Sequence, residues 1–212
     1  MKIFLESCCT SCESVKAACE AGASRIELCE RLEVGGVTPS RSLLKSALAL
    51  STVPVNVLVR PRGGNFCYDE AEIALMLEDV RFCAEAGAAG VVIGALREDG
   101  SVDMETMTRL CACARECGLT VTFHRAFDEC AEPLKAFEDI IALGCDRLLT
   151  SGHEATAYEG RAFIGELVRR ARGRIIVMAG CGVRPENIKE IQKSTAAPEY
   201  HSSRILPFAA VI

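Results

Sequence analysis

Glu85-Ala86-Gly87-Ala88-Ala89-Gly90-Val91-Val92-Ile93-Gly94 ends a helix on a glycine and opens a short apolar strand. Glycine suits the left-handed cap that closes many helices, so Gly87 reads as a stop. The unit recurs. Ala21-Gly22-Ala23 precedes another strand, and Gly118 and Leu143-Gly144-Cys145 do the same. A "helix, glycine, strand" unit of about 25–35 residues is what βαβ units require.

Working outward, the strands fall at Ile3–Ser7, Arg25–Cys29, Val55–Arg60, Gly90–Gly94, Thr120–His124, Arg147–Thr150, Ile175–Ala179 and Glu199–Ser202. The helices fall at Ser11–Ala21, Ser40–Leu50, Glu70–Ala86, Met104–Cys117, Pro133–Leu143, Glu159–Arg172 and Pro185–Ser194. Thr10 with Glu13, and Asp69 with Glu72, have capping-box spacing. Pro39 and Pro185 suit a first helical position. Strict alternation predicts a parallel sheet, and eight strands predict a closed (β/α)8 TIM barrel. The eighth helix is expected to be short or missing. An open doubly wound sheet is the alternative, but no G-x-G-x-x-G follows the first strand.

The chain has 212 residues, half of them apolar and a quarter charged, and is read as one domain over 1–212. The apolar run at the N-terminus stops at Glu6, too early for a signal peptide core. No window approaches the ~18 apolar residues of a membrane span. A cytoplasmic protein is expected, with neither membrane nor nucleic acid as partner, since the net charge is −5. Thirteen cysteines, an odd number without a secretory signal, argue against a disulfide framework.

In a barrel of this type, function sits at the C-terminal strand ends. Those ends carry Glu6, Glu27, Arg60, His124, Asp128 and His201, the candidate catalytic set. Side chains alternate between barrel interior and helix layer. One parity turns Glu6, Arg25, Glu27, Cys29, Arg60, His124 and His201 inward together. Barrels also hold Glu–Arg pairs as pure structure, because a buried charge must be paired. Five of the inward residues, Glu6, Glu27, Arg60, His124 and His201, converge on one mouth and exceed that need. The Gly/Ser-rich loops after strands six to eight offer Thr150, Ser151, Gly152, Gly180, Gly182 and Ser202 as candidate ligand contacts, and Arg62 joins Arg60 as an anion binder.

Most cysteines read as small buried hydrophobes. Cys8, Cys9, Cys12 and Cys29 differ, because they cluster at two strand tops and a helix start, where a thiol pKa falls. Cys8, Cys9 and Cys29 are the candidate metal ligands, for a soft ion such as Cu(I).

Val59-Arg60-Pro61-Arg62-Gly63-Gly64-Asn65-Phe66-Cys67-Tyr68, Val121-Thr122-Phe123-His124-Arg125-Ala126-Phe127-Asp128, Leu149-Thr150-Ser151-Gly152, Gly35-Gly36-Val37-Thr38-Pro39-Ser40 and His201-Ser202-Ser203 resemble the signature segments of the CutC family. The resemblance spans nearly the whole chain. It implies a (β/α) barrel, a cytoplasmic location, copper binding and a part in copper homeostasis. Cys8 and Cys29 match family positions, Cys9 matches many bacterial members, and Cys12 does not match. Asn65 stands where aspartate is usual, and Cys181 where a small residue is usual.

Two functional readings follow. The first is a copper-handling protein that binds Cu(I) through mouth cysteines. The second is a lyase, isomerase or hydrolase for a small anionic or phosphorylated metabolite, with His124 and Glu27 as acid and base. A regulatory or scaffolding barrel is a third. After His201-Ser202-Ser203 only nine residues remain, with Pro207 at their centre, too few for the covering helix. The apolar seam of strands one and eight is therefore expected to be covered by that tail or by a second subunit in a homodimer. A truncated or frame-shifted product is the other explanation.

Overall fold

Gly87 adopts φ +97° and ends a 17-residue helix, as its sequence context demands. Gly22, Gly118 and Gly144 are left-handed in the same way. The computed structural model describes residues 3–204. The strands are β1 (Phe4–Cys9), β2 (Arg25–Leu28), β3 (Val55–Leu58), β4 (Gly90–Ile93), β5 (Thr120–Phe123), β6 (Arg147–Thr150), β7 (Ile176–Ala179) and β8 (Glu199–Ser202). They pair in parallel in chain order and close into a barrel, with β1 bonded to both β2 and β8.

Between them run α1 (Cys12–Glu20), α2 (Arg41–Leu50), α3 (Glu70–Ala86), α4 (Met104–Glu116), α5 (Pro133–Ala142), α6 (Arg161–Ala171) and α7 (Ile188–Thr195). Seven helices among the described residues match the expected number. The expected tail cover and its dimer concern residues 205–212, which lie outside the described part. No helix among the described residues is long and apolar enough to cross a membrane.

Some helix starts differ from the sequence reading. The α1 capping box is made by Ser11 and Ser14 rather than by Thr10 and Glu13. Ser40 caps α2, so Pro39 stands outside it. Asn187 precedes α7, so Pro185 lies in the connection. Asp69 and Glu72 cap α3 as expected.

Strand parity separates two environments. Leu5, Ile26, Leu28, Val57, Val91, Ile93, Phe123, Leu148, Val177 and Tyr200 join the main core with helix residues such as Val15, Leu44, Met76, Met107, Phe137 and Ile164. Cys8, Cys29, Leu58 and Val92 form a separate small cluster inside the barrel. Below it the interior is ionic. Arg25 pairs with Glu6 and Glu199, and Arg147 reaches Glu199 at 3.1 Å. Each charge in this lower layer thus has a partner, which burial requires.

Candidate functional site

The C-terminal strand ends enclose a cavity of about 620 Å³. β1 and β2 contribute Cys8, Glu27 and Cys29 to its lining. Leu58 and Arg60 come from the end of β3, His124 from β5, Leu149 from β6 and His201 from β8. Glu6 sits one register step lower, opposite both Arg25 and His201.

Glu6, Glu27 and His201 act as a unit. His201 Nδ1 is 2.9 Å from Glu6 Oε1 and 3.6 Å from Glu27 Oε2. Burial would raise Glu6, but the His201 hydrogen bond and the Arg25 charge outweigh it and hold Glu6 at about 2. Burial lifts Glu27, His201 pulls it back and Glu6 adds to the lift, leaving it at about 7. Glu27 Oε2 is buried with no hydrogen-bond partner among the described residues. Burial disfavours the His201 imidazolium, yet the carboxylates Glu27 and Glu6 more than compensate, so its pKa is raised.

The opposite wall behaves differently. His124 Nδ1 accepts the Ala126 N–H at 3.1 Å, capping the 3-10 turn Arg125–Glu129. The ring hydrogen of the neutral form therefore belongs on Nε2, which is buried and unpartnered. Burial, followed by the Arg60 charge, lowers His124 to about 3, so it is neutral at pH 7. Arg60 donates to three backbone carbonyls, Val34 at 3.2 Å, Gly36 at 3.1 Å and Gly64 at 2.6 Å. Its Nε is buried without a partner, and no carboxylate pairs with it among the described residues. Both side chains pack on Phe66, with Arg60 Cζ 4.6 Å and the His124 ring 4.9 Å from that ring's centroid.

Several sequence candidates lie elsewhere. Cys9 has the outward parity of Leu5 and packs into the helix-side core. Asp128 borders the cavity, but its oxygens accept from the Thr150 hydroxyl, the Ser151 and His153 amides and Arg125 Nε. It is a clamp between the β5 and β6 loops, with Thr150 and Ser151 as its donors. Gly152 has a backbone reason, since a Cβ there would come within 2.5 Å of Gly160 O. Gly180 leaves room for Leu149 and His201, and its amide bonds Thr150 O. Gly182 does line the cavity. The Ser202 hydroxyl donates to Val183 O at 2.9 Å. Arg62 is paired with Glu72 at 2.6 Å and braces the start of α3, outside the cavity.

The thiols also depart from the sequence reading. The Cys29 contact, burial and the Glu27 charge raise the Cys8 pKa well above that of an ordinary thiol. Burial pushes Cys9 up to about 11. Proximity to a helix start does not offset the loss of water. All thirteen cysteines are free thiols. Cys8 Sγ lies 3.5 Å from Cys29 Sγ. Cys8, Glu27 and His201 offer ligand atoms within 4.8 Å of one another. That set places Glu27 and His201, read as catalytic, beside Cys8, one of the three expected metal ligands.

The sequence reading missed Val34, Phe66, Leu149 and His153 in the lining. Leu149 was within reach, because it shares the inward parity of Arg147. The other three arrive on loops, where no periodicity applies.

Eight parallel strands closed in chain order define a (β/α)8 barrel, with a cavity at their C-terminal ends as the candidate site. The chain belongs to the CutC family, whose sequence profile matches residues 3–206. It is 49% identical over 204 residues to family protein CutC of Parabacteroides distasonis, spanning 96% of this chain and 83% of that protein. The corresponding Histophilus somni protein is 46% identical over 199 residues, spanning 94% of this chain and 81% of that one. A solved Streptococcus agalactiae CutC, whose name proposes copper homeostasis, superposes with a TM-score of 0.89 at 34% identity. It covers 96% of this chain and 99% of that chain.

Proposed function

We propose that this chain is an enzyme that binds a small anionic metabolite in the barrel mouth and moves a proton on it, with Glu27 and His201 as the acid–base pair. One observation carries the reading: a carboxyl poised at about 7, buried in a cavity wall, has no hydrogen-bond partner on Oε2. General acid–base catalysis needs a group that titrates near the working pH. Structural carboxylates in the same barrel, such as Glu6, are fully paired instead. The test is a metabolite-library thermal-shift screen, followed by NMR detection of solvent deuterium entering each hit. Incorporation by the native chain and at least a hundredfold loss in Glu27→Gln are expected. Hits that take up no deuterium and undergo no other conversion would defeat the reading.

A second reading rests on the thiol pair. Cys8 and Cys29, 3.5 Å apart, with His201 beside them, form a soft donor set that fits Cu(I) as a cargo ion. The bound ion would displace the Cys8 proton that burial retains. The name of the Streptococcus agalactiae relative supports this reading. Competition with a Cu(I) chelator tests it. Affinity should fall in Cys8→Ser/Cys29→Ser and persist in Cys9→Ser, and equal affinity in all three proteins counts against it.

A further inference from the structure

We infer that the anion held in the cavity is a monocarboxylate, taken by the wall of Arg60 and His124, and not a phosphate taken by the loops after β7 and β8. This rests on the enzymatic reading above and names the substrate class of the same site.

Barrels commonly bind phosphate through backbone amides in the loops after β7 and β8. Here several polar groups of those loops are engaged within the chain. The Gly180 amide bonds Thr150 O at 2.9 Å, and the Ser202 hydroxyl donates to Val183 O at 2.9 Å. The Asn187 side chain takes the Arg184 amide and donates to Gly182 O, both at 2.8 Å. Cys181, itself at φ +75°, directs its thiol at Ala155 O. The donors left over there among the described residues include backbone amides such as those of Gly182 and Ser203, which carry no formal charge to match a phosphate dianion.

The opposite wall has donors left over. Arg60 is 5% exposed, and a buried cation without a counter-ion is costly. Its three carbonyl contacts hold the guanidinium in place but carry no formal charge. Gly35 has no Cβ, and one built there would lie 2.9 Å from Arg60 Nη1, so the loop closes tightly on this group. His124 is likewise 5% exposed and offers a neutral N–H. One fixed positive charge and one neutral donor match a single negative charge. A phosphate dianion would leave surplus negative charge in a cavity that also holds Glu27 and is rimmed by Glu129 and Glu154, while Arg125 in the same lining is already paired with Asp128. The rest of a carboxylate ligand then extends across the cavity toward Glu27 and His201, where a proton can be moved on it.

The experiment uses the full chain and three matched series with the same carbon skeletons: small monocarboxylates, their amides, and phosphomonoesters, with inorganic phosphate alone as a further probe. Thermal shift and calorimetry should show that carboxylates stabilise the protein, and that amides and phosphates bind at least about tenfold more weakly, since a charge-assisted contact is lost or mismatched. Carboxylate affinity should fall by about tenfold or more in His124→Leu and in Arg60→Met. The ligand series needs only the native chain, so it remains decisive if Arg60→Met fails to fold. Phosphates that bind as well as carboxylates, or no response to any series, would overturn the inference. Glu27→Gln separates the two readings. If it still binds carboxylates while the native chain turns none of them over, the enzymatic reading falls and the carboxylate site stands.

Discussion

His201 Nδ1 lies 2.9 Å from Glu6 Oε1 and 3.6 Å from Glu27 Oε2, so one imidazole is shared by two carboxylates of opposite character. Glu6, locked to Arg25, stays ionised down to about 2. Glu27 holds a proton up to about 7. Both members of the His201–Glu27 pair are thus shifted upward, and Glu6 fixes the ring between them.

Replacing Glu6 by Gln removes the charge between Arg25 and His201. Stability should fall by about 3–5 kcal/mol, because a buried ion pair loses one partner. The His201 pKa should drop, since a charge and a hydrogen bond that raise it are gone. Urea unfolding and NMR titration of the His201 ring measure both. A ring that titrates as in the native chain would show that Glu6 does not position it.

Glu27→Gln should stabilise the fold at pH 8. The folded-state pKa is raised from 4.5 to about 7, so the group favours folding below pH 4.5. That contribution is lost as pH rises through about 7, at up to about 1.4 kcal/mol per pH unit. His201, also raised, has the same sign, with its contribution complete below 6.5. Chemical unfolding at pH 5 and pH 8 should show the native chain losing more stability between them than Glu27→Gln. Parallel losses would contradict a raised Glu27.

The acid side has the opposite sign. His124 is lowered from 6.5 to about 3, so its contribution is present above 6.5 and is lost as pH falls toward 3. Between pH 6 and 4.5 the unfolded chain takes up a proton that the folded chain refuses, tilting stability by up to about 1.4 kcal/mol per pH unit. His124→Gln should flatten that limb. Glu6, lowered from 4.5 to about 2, adds the same sign at lower pH. An unchanged slope in the variant would place the effect on other groups.

The barrel was legible because its signals are local and periodic. Glycine stops and short apolar strands repeat along the chain, and period-two parity correctly turned Glu27, His124 and His201 to one side. Parity also held the answer for Cys9. Its adjacency to Cys8 suggested a shared site, but neighbours on a strand face opposite ways. Thr150 and Ser151 were misleading for another reason. Their hydroxyls suit a ligand, and nothing local shows that Asp128 engages them first. Phe66 and Val34 reach the cavity through loop folding that no pattern encodes.

Thiol reactivity should follow burial. Cys12, Cys67 and Cys181 are partly accessible, whereas Cys8, Cys9 and Cys83 are buried and held protonated. Mass spectrometry after brief alkylation at pH 7.5 should find label on the first group and none on the second. Urea should then expose the rest. Early labelling of Cys8 would mean that its thiolate is populated, favouring a metal-ready pair over a protonated one.

Gly94→Ala tests whether the position of His124 matters separately from stability. A Cβ at Gly94 would stand 2.6 Å from His124 Cε1 and Nδ1, and 3.3 Å from the Ala126 Cβ. The ring cannot simply tilt away, because Phe66 and Phe123 flank it at 4.9 and 6.0 Å between centroids. It must give up the Ala126 N–H, and with it the constraint that leaves the ring hydrogen on Nε2. Overpacking of this kind costs about 1–3 kcal/mol. Gly87→Ala is the matched control. Its φ of +97° makes alanine unfavourable by about 1 kcal/mol, yet nothing lies within 4 Å of the added methyl. Both variants should melt earlier, but only Gly94→Ala should shift the nitrogen resonances of His124 and weaken carboxylate binding. If the two variants bind carboxylates equally well, the placement of His124 contributes nothing to the anion site.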